Sequence, residues 1–223
     1  MTAEILQPVT DSSLAGLEEA TARYEAERWA IADVLAKRQI SEGVASTFRL
    51  GFVAEPAPGH ERYQGRLAIP YLGIDKDGVE RVRSMRFRCL KDHGCNASGC
   101  AKYLGEAGER IQMFNVRAIK KAGDSIHVAE GELDAVVLAQ CGLSAVGMPG
   151  ASSWARRHGR MLAGFSKVYV WGDPDGPGQE FSGRVRAAIG ARARVVHLRE
   201  GDVNETFVKG GKAAIEQLIG ATK

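Results

Sequence analysis

Hydrophobic and polar positions in the first half of the chain predict one long helix followed by a β-hairpin. Residues 14–36 are rich in Ala, Glu and Leu and contain no proline, so we predict a helix with N-cap candidates at residues 11–13. Residues 66–74 and 78–90 have the composition of strands. The Asp-Lys-Asp-Gly sequence at 75–78 is typical of a hairpin turn, and we therefore predict that the two strands pair.

From residue 125 onwards, short apolar segments alternate with helical ones. Strands are predicted at residues 125–130, 144–148, 167–173 and 194–200. Helices are predicted at residues 131–142, 152–165 and 178–191. This alternation is typical of a parallel sheet with right-handed crossovers. We therefore predict an α/β protein in which a Rossmann-like domain with a four-stranded parallel sheet, residues 123–223, follows a smaller basic α+β domain, residues 1–122.

Composition limits the class of protein. The 223 residues are 44% hydrophobic and 26% charged, as in ordinary globular proteins. The chain has no run of eighteen apolar residues, and its acidic N-terminus lacks the apolar core of a signal peptide. Three of the four cysteines crowd into twelve residues, which is a poor disulfide framework. We therefore expect no membrane association and a cytoplasmic location, in the bacterial host if the protein is encoded by a phage.

Positive charge is concentrated in the second strand of the predicted hairpin. The net charge of +3 is small, but residues 81–88 contain four arginines and no acid. One interpretation is a surface that faces a polyanion, with Arg88 as a candidate contact to nucleic acid. A solvated strand face with scattered positive charge explains the pattern equally well.

Carboxylates recur where predicted parallel strands end. Glu130 ends the first strand, and Asp134 lies one helical turn further on. Asp173 and Asp175 end the third strand, and Asp202 follows the fourth. A single acid would be explained by an N-cap or a surface charge, but the carboxyl ends of parallel strands share one edge of the sheet, and like charges there need a cation. The pattern therefore predicts a site for Mg²⁺ or Mn²⁺, suited to phosphate chemistry.

Two of these motifs resemble the Toprim domain of primases, topoisomerases, OLD-type nucleases and RecR proteins. Residues 130–134 (EGELD) match its Glu-Gly motif, and residues 173–178 (DPDGPG) match its Asp-x-Asp-x-x-Gly motif. The segments that are similar to the primase form of the family are residues 35–52, 62–78 and 101–105. The chain therefore resembles a DnaG-type primase catalytic core, of a phage or mobile-element type, over roughly residues 30 to 210.

The resemblance implies Mg²⁺-dependent synthesis of short RNA primers on single-stranded DNA from ribonucleoside triphosphates. It gives catalytic, metal-binding roles to Glu130, Asp173 and Asp175, with Asp134 and Asp202 as supporting metal ligands. The same resemblance assigns contacts with nucleotide phosphates or template to Arg66 and Lys102.

The sequence departs from the family pattern in ways that bear on partners. It shows no N-terminal zinc-binding module and no helicase-docking domain, so we expect a separate zinc-binding initiation factor or a replicative helicase to act with it. Asn204 stands where the third primase motif has an acid. Two other functions remain open: a Toprim nuclease that uses the same metal ions, and a non-catalytic DNA-binding or loading module of the RecR type.

One further group of side chains has the composition of a metal site. Cys89, His93, Cys95 and Cys100 supply four candidate ligands, the number that tetrahedral Zn²⁺ requires. Their spacing is not the paired Cys-x-x-Cys of most zinc ribbons, so reduced cysteines that meet by chance remain an alternative.

Overall fold

The computed structural model describes residues 11–95, 97–106 and 112–222. These residues form two compact units, each with a four-stranded sheet. The first unit contains the described residues of 11–31 and 49–106, and the second contains those of 32–48 and 112–222.

The first unit is a helix packed on an antiparallel sheet. Its elements are α1 (Asp11–Ala26), a 3-10 turn (Arg28–Ile31), β1 (Gly51–Phe52), a second 3-10 turn (Glu61–Tyr63), β2 (Arg66–Ile74), β3 (Glu80–Cys89) and β4 (Tyr103–Gly105). The strand order is β1-β2-β3-β4. The predicted hairpin of β2 and β3 is confirmed. At its turn the Asp75 amide and the Val79 carbonyl oxygen are 2.8 Å apart, and Gly78 has a φ of +80° that suits glycine.

The core of this unit lies between α1 and the sheet. Its buried residues are Ala20, Tyr24, Val53, Ala57, Tyr63, Ala68, Met85 and Phe87. The rings of Tyr63 and Phe87 stack with their centroids 3.8 Å apart. α1 crosses β1 so closely that a Cβ on Gly51 would collide with the backbone of Tyr24. Glycine at this position therefore allows the helix to contact the sheet.

The prediction of one helix over residues 14–36 is wrong. Residues 11–13 already lie within α1, and α1 ends at Ala26 before the 3-10 turn; a separate helix, α2 (Ala32–Lys37), follows. The hydroxyl of Tyr24 accepts a hydrogen bond from the Ala57 amide (2.9 Å), and the guanidinium of Arg28 donates to the Leu50 carbonyl (3.3 Å). These tertiary contacts outweigh the weak intrinsic preference of the segment for a continuous helix.

The second unit is a parallel sheet with helices. Its remaining elements are α3 (Glu42–Thr47), α4 (Arg117–Lys121), β5 (Ser125–Ala129), α5 (Glu132–Gln140), β6 (Ala145–Gly147), a 3-10 turn (Ala151–Ser153), α6 (Arg156–Met161), β7 (Lys167–Trp171), α7 (Gly176–Ile189), a 3-10 turn (Gly190–Arg192), β8 (Ala193–Val196) and α8 (Val203–Ala221). The strand order is β6-β5-β7-β8, and every pairing is parallel. The predicted α/β class with a four-stranded parallel sheet is therefore confirmed.

Two helices of this unit differ from the sequence prediction. The helix expected at 152–165 is reduced to α6, because the ring of His158 accepts a hydrogen bond from the Ala155 amide (3.0 Å) and fixes the start of the helix there. Beyond its other end, Arg192 donates to the carbonyl oxygens of Leu162 and Phe165. The long helix α8 was not predicted. Asp202 caps it, and its helical geometry is interrupted at Gly211.

Residues 32–48 belong to the second unit although they precede most of it in sequence. The ring of Phe48 stacks on that of Phe114, with centroids 5.5 Å apart. Arg117 donates to the Thr47 carbonyl at 2.7 Å, and Gln140 donates to the Gln39 carbonyl at 2.7 Å. The second unit is thus built from two separate stretches of the chain.

None of the helices in the described part of the chain is long and apolar enough to cross a lipid bilayer.

Candidate functional site

The ends of the central strands β5 and β7 bring two predicted metal ligands together. The strands pair in register up to Ala129 and Trp171. One residue beyond β5, the Oε2 of Glu130 accepts a hydrogen bond from the Asp173 amide at 3.2 Å. Glu130 and Asp173 therefore lie side by side at the carboxyl edge of the sheet, where parallel sheets bind ligands.

The loop after β7 is so tight that it requires glycine. Oδ1 of Asp175 accepts a hydrogen bond from the Gly178 amide (2.8 Å) and caps α7. A Cβ on Gly178 would overlap the backbone of Asp173, and one on Gly172 would overlap the carbonyl of Gly178 and the hydroxyl of Ser182. This close approach explains why glycine is required at positions 172 and 178.

Asp134 is held in an electrostatically unfavourable position. Its side chain is half-buried, and a Cβ on Gly131 would lie 2.6 Å from its Oδ2, so glycine makes room for the carboxylate. Burial raises the pKa of Asp134, and the charges of Asp202 and Asp173 raise it further, to about 7. Because an ionised carboxylate here is disfavoured, the side chain is a suitable partner for a cation.

Asn204 contacts the Asp134 carboxylate and is itself hydrogen-bonded to Arg38. The Asn204 amide donates to Oδ1 of Asp134 at 3.4 Å. The side chain of Asn204 accepts from the Arg38 guanidinium (3.0 Å) and donates to the Arg38 carbonyl (2.8 Å). An aspartate in place of Asn204 would have no N–H group to donate to the Arg38 carbonyl, which gives a structural reason for asparagine in this motif.

Asp202, like Asp175, is a helix cap. Its side chain accepts from the Glu205 amide at 2.8 Å and caps α8. Its charge nevertheless acts on Asp134. Asp202 therefore contributes to the negative potential of the site from the start of a helix.

The donor chemistry fits Mg²⁺, although the carboxylates do not converge on one point. Five carboxylates supply only oxygen, the ligand that Mg²⁺ prefers. Among the residues that the structure describes, the cysteine–histidine cluster is the only group of three or more such side chains close enough to hold an ion. An open carboxylate site remains compatible with Mg²⁺, because this ion keeps several waters and takes further ligands from substrate phosphates.

A cleft of about 500 Å³ opens beside Asp173. Its lining includes Pro174, Arg186 and His197, which come from the loop after β7, from α7 and from the segment after β8. A positively charged side chain and a carboxylate thus border the same cleft at the edge of the sheet.

The cysteine–histidine cluster is assembled in the connection between β3 and β4. One ligand atom from each of Cys89, His93, Cys95 and Cys100 lies within 4.8 Å of all the others. Burial alone would raise the pKa of the Cys89 thiol, but hydrogen bonds, first of all that with His93, lower the pKa to about 6. The cluster therefore stabilises a thiolate, the form that binds metal ions.

The two cationic residues assigned by family resemblance lie beside this cluster. Arg66 donates from Nη2 to Sγ of Cys100 (3.4 Å) and from Nη1 to the Ala101 carbonyl (2.9 Å). Lys102 is exposed, and its carbonyl accepts from the Cys89 amide at 2.9 Å. Both residues are thus attached to the framework of the cluster.

Arg88 is engaged within the sheet. Its Nη1 donates to the hydroxyl of Tyr103 at 2.7 Å, and its guanidinium carbon lies 5.3 Å from the centre of that ring. Arg86 lies over the same ring at 5.1 Å. The nucleic-acid contact predicted for Arg88 stays a prediction, and these bonds give the side chain a second, structural role.

Comparison with known proteins identifies the relatives of the chain. No protein-family model matches it. The Gene 57 protein of Mycobacterium phage D29 is 32% identical over 158 residues, which cover 70% of this chain and 99% of the phage protein. The chain belongs to the family of this phage protein.

Solved structures agree on the fold. The RNA polymerase domain of Mycobacterium tuberculosis primase DnaG matches 97% of the chain with a TM-score of 0.76 and 20% identity, over 85% of that domain. A DnaG primase catalytic domain bound to single-stranded DNA matches 94% with a TM-score of 0.71 and 19% identity, over 78% of its own chain. The resemblance to the catalytic core of DnaG-type primases is therefore confirmed at the level of fold.

Two side chains of the site in this Gene 57 family member were missed in the sequence. Arg38 lowers the pKa of Asp134 and pairs with Asn204, yet it lies 92 positions before Glu130 and 135 before Asp173. Arg186 borders the cleft beside Asp173 from α7. The helical period of α7 was a usable signal for Arg186, whereas nothing local in the sequence points to Arg38.

Proposed function

We propose that the chain is a primase of the DnaG type, which makes short RNA primers on single-stranded DNA from ribonucleoside triphosphates with Mg²⁺ or Mn²⁺. The observation that carries the proposal is the carboxylate group of Glu130, Asp173 and Asp175 at the ends of β5 and β7, within a fold that matches DnaG cores over nearly its whole length. The enzyme is then a nucleotidyltransferase.

We assign a role to each side chain, and its position supports that assignment. Glu130, Asp173 and Asp175 would hold the ion, which would supply charge neutralisation for the triphosphate and for attack by a primer hydroxyl. The Glu130 carboxylate is oriented by the Asp173 amide, and Asp175 is fixed as the cap of α7. Asp134 and Asp202 adjust the negative charge around the ion.

Positive side chains in the first unit provide the contacts to phosphate. Arg66 presents a planar fork of donors, which suits a phosphate group, and Lys102 presents an exposed point charge. Arg88 is proposed as a third contact. Single-stranded DNA as template is supported by the DnaG domain of the same fold that binds it.

Further partners and metals are part of the same proposal. We expect a replicative helicase or a separate zinc-binding initiation factor to assist the protein, and Zn²⁺ to occupy the cluster of Cys89, His93, Cys95 and Cys100. A functional division into a basic domain, residues 1–122, and a Toprim domain, residues 123–223, remains part of this proposal.

A product assay tests the function. The protein is incubated with single-stranded DNA, four labelled ribonucleotides and Mg²⁺ or Mn²⁺, and we expect short RNA products. Asp173→Ala should abolish them, whereas Asp33→Ala, an exposed acid on α2, should leave them unchanged. Shortening of the DNA would instead identify a nuclease, and DNA binding without either product would identify a loading module of the RecR type.

A further inference from the structure

The cysteine–histidine cluster and Arg66 form one connected unit on the surface of the antiparallel sheet. We propose that Zn²⁺ bound by Cys89, His93, Cys95 and Cys100 holds Arg66 in position for the phosphates of single-stranded DNA. DNA binding by this surface then depends on zinc. The proposal deepens the proposed function by naming what orders its template contact, but the binding step does not require primer synthesis.

The distances within the cluster match a tetrahedral zinc site. Bonds of about 2.3 Å from zinc to sulfur and about 2.0 Å to nitrogen give tetrahedral edges of roughly 3.8 Å between sulfurs and 3.5 Å between sulfur and nitrogen. Sγ of Cys100 lies 3.6 Å from Sγ of Cys89. Nε2 of His93 lies 3.4 Å from Sγ of Cys89 and 3.9 Å from Sγ of Cys95. These three separations are close to the tetrahedral edges, and all four ligand atoms lie within 4.8 Å of one another.

The backbone supports the same arrangement. The Cys89 amide donates to the Lys102 carbonyl at 2.9 Å and continues the pairing of β3 with β4. The Cys100 amide donates to the Cys95 carbonyl at 2.9 Å. The sheet therefore fixes both ends of the connection, and an ion in the cluster would fix the residues between them.

Charge links the cluster to Arg66. Zn²⁺ with three thiolates and one neutral histidine has a net charge of −1, and the guanidinium beside Cys100 Sγ offsets it. The bonds to Cys100 and to Ala101 occupy two of the five N–H donors of the arginine. The remaining donors are held in a fixed plane, which favours a phosphate contact because little conformational entropy is then lost on binding.

Loss of the ion would remove this support. Sγ of Cys100 would no longer be held in place by the ion, so the bond to the Ala101 carbonyl would be the remaining fixed contact of Arg66. Lys102 would be affected as well, because its backbone pairs with Cys89 at the base of the cluster. The positive surface would become mobile at the point where it has to meet phosphate.

The test measures zinc content and DNA affinity separately, without nucleotides or Mg²⁺. We expect one zinc per chain by elemental analysis, and fluorescence anisotropy with labelled single-stranded DNA should show roughly tenfold weaker binding after chelation of zinc. Arg66→Ala should weaken binding by a similar factor while zinc stays bound. The matched controls are Cys141→Ser, a buried cysteine outside the cluster, and Arg62→Ala, an exposed arginine.

A double-mutant cycle distinguishes a connected unit from two independent ones. Cys100→Ser should lower both zinc content and DNA affinity, and adding Arg66→Ala should weaken binding no further. Cys100→His covers the case in which Cys100→Ser fails to fold, because it retains four ligands and thus zinc, yet removes the thiolate that Arg66 contacts. Its DNA affinity should fall with zinc still at one per chain.

Three results would overturn the proposal: purified protein that neither contains nor binds zinc, DNA affinity unchanged by chelation, or effects of Cys100→Ser and Arg66→Ala that simply add. Failure of the proposed function looks different. A protein that makes no RNA but shows zinc-dependent DNA binding would contradict the primase proposal alone.

Discussion

Replacement of Asp134 by asparagine tests the electrostatics of the carboxylate site. Asparagine has nearly the same shape and keeps an oxygen that can accept from the Asn204 amide. It carries no charge at any pH, so the repulsion from Asp202 and Asp173 disappears. We therefore expect the metal-free Asp134→Asn protein to be more stable than the natural one at alkaline pH.

The magnitude follows from the pKa of Asp134, which is raised from 3.8 to about 7. Below pH 4 the carboxyl is protonated in both the folded and unfolded states, so its raised pKa does not lower the free energy of unfolding. Between pH 4 and 7 the folded state retains a proton that the unfolded state has released, so stability falls as pH rises. At about 1.4 kcal/mol per pH unit the limit is about 4 kcal/mol, and for a half-buried, screened carboxylate we expect about 2 kcal/mol.

Thermal unfolding in EDTA at several pH values measures this difference. At pH 8 the variant should melt roughly 4–8 °C above the natural protein, and the two should converge towards pH 4. Mg²⁺ should narrow the gap at pH 8 because it favours the ionised form of Asp134. A gap of equal size at pH 5 and pH 8 would refute the electrostatic explanation. Asp33→Asn, at an exposed carboxylate, should show no gap at either pH.

Three further substitutions have outcomes that the contacts determine. Asn204→Asp restores the acid of the primase motif but places a carboxylate against a carbonyl oxygen, so urea unfolding in EDTA should show a loss of about 1–3 kcal/mol in the free energy of unfolding. Gly178→Ala forces a Cβ into the backbone of Asp173, and primer synthesis should fall about 100-fold. Trp171→Phe removes the donor to Nδ1 of His127 (3.0 Å), a buried ring whose pKa burial lowers to about 4, and should destabilise the protein by about 1–3 kcal/mol in urea unfolding at pH 7.5.

Controls for these variants are available in the same elements. Gly183 lies in α7 with no neighbour near its Cβ position, so Gly183→Ala should retain activity; equal losses at both glycines would contradict the steric argument. If Asn204→Asp is as stable as the natural protein, the bond to the Arg38 carbonyl does not explain asparagine in the motif. If Trp171→Phe is as stable as the natural protein, the hydrogen bond from Trp171 to His127 makes no net contribution to the free energy of unfolding.

The hairpin and the parallel sheet were predictable because their signals are local. The Asp-Gly turn at 77–78 and the alternating apolar segments after residue 125 each specify their element without help from distant residues. The predictions of a continuous helix over 14–36 and of a long helix at 152–165 were wrong because contacts with distant residues decide where these helices end. Arg28 donates to Leu50, and Arg192 donates to Leu162 and Phe165; these are tertiary contacts that no helical period reveals.

The candidate site also has some features that were predictable from the sequence and others that depend on the folded structure. Glu130 and Asp173 were placed together from strand ends alone, since parallel strands bring their carboxyl ends to one edge. The raised pKa of Asp134 depends on the distances to Asp202 and Asp173 and on burial, which only the folded chain defines. The bond from Arg66 to Cys100 joins residues 34 positions apart and has no sequence signature.

Phe48 contacts Phe114, and Gln39 contacts Gln140, so the second unit cannot finish folding during synthesis until these later residues have been made. A ribosome releases residues 32–48 early, but their partners emerge roughly a hundred residues later in the case of Gln140. Until then an aromatic ring and several backbone carbonyls of this segment have no partner from the second unit, and the segment cannot complete its packing. A fragment that starts at residue 123 would lack both Phe48 and Phe114, and separate expression of the two halves of the chain should give poorly folded products.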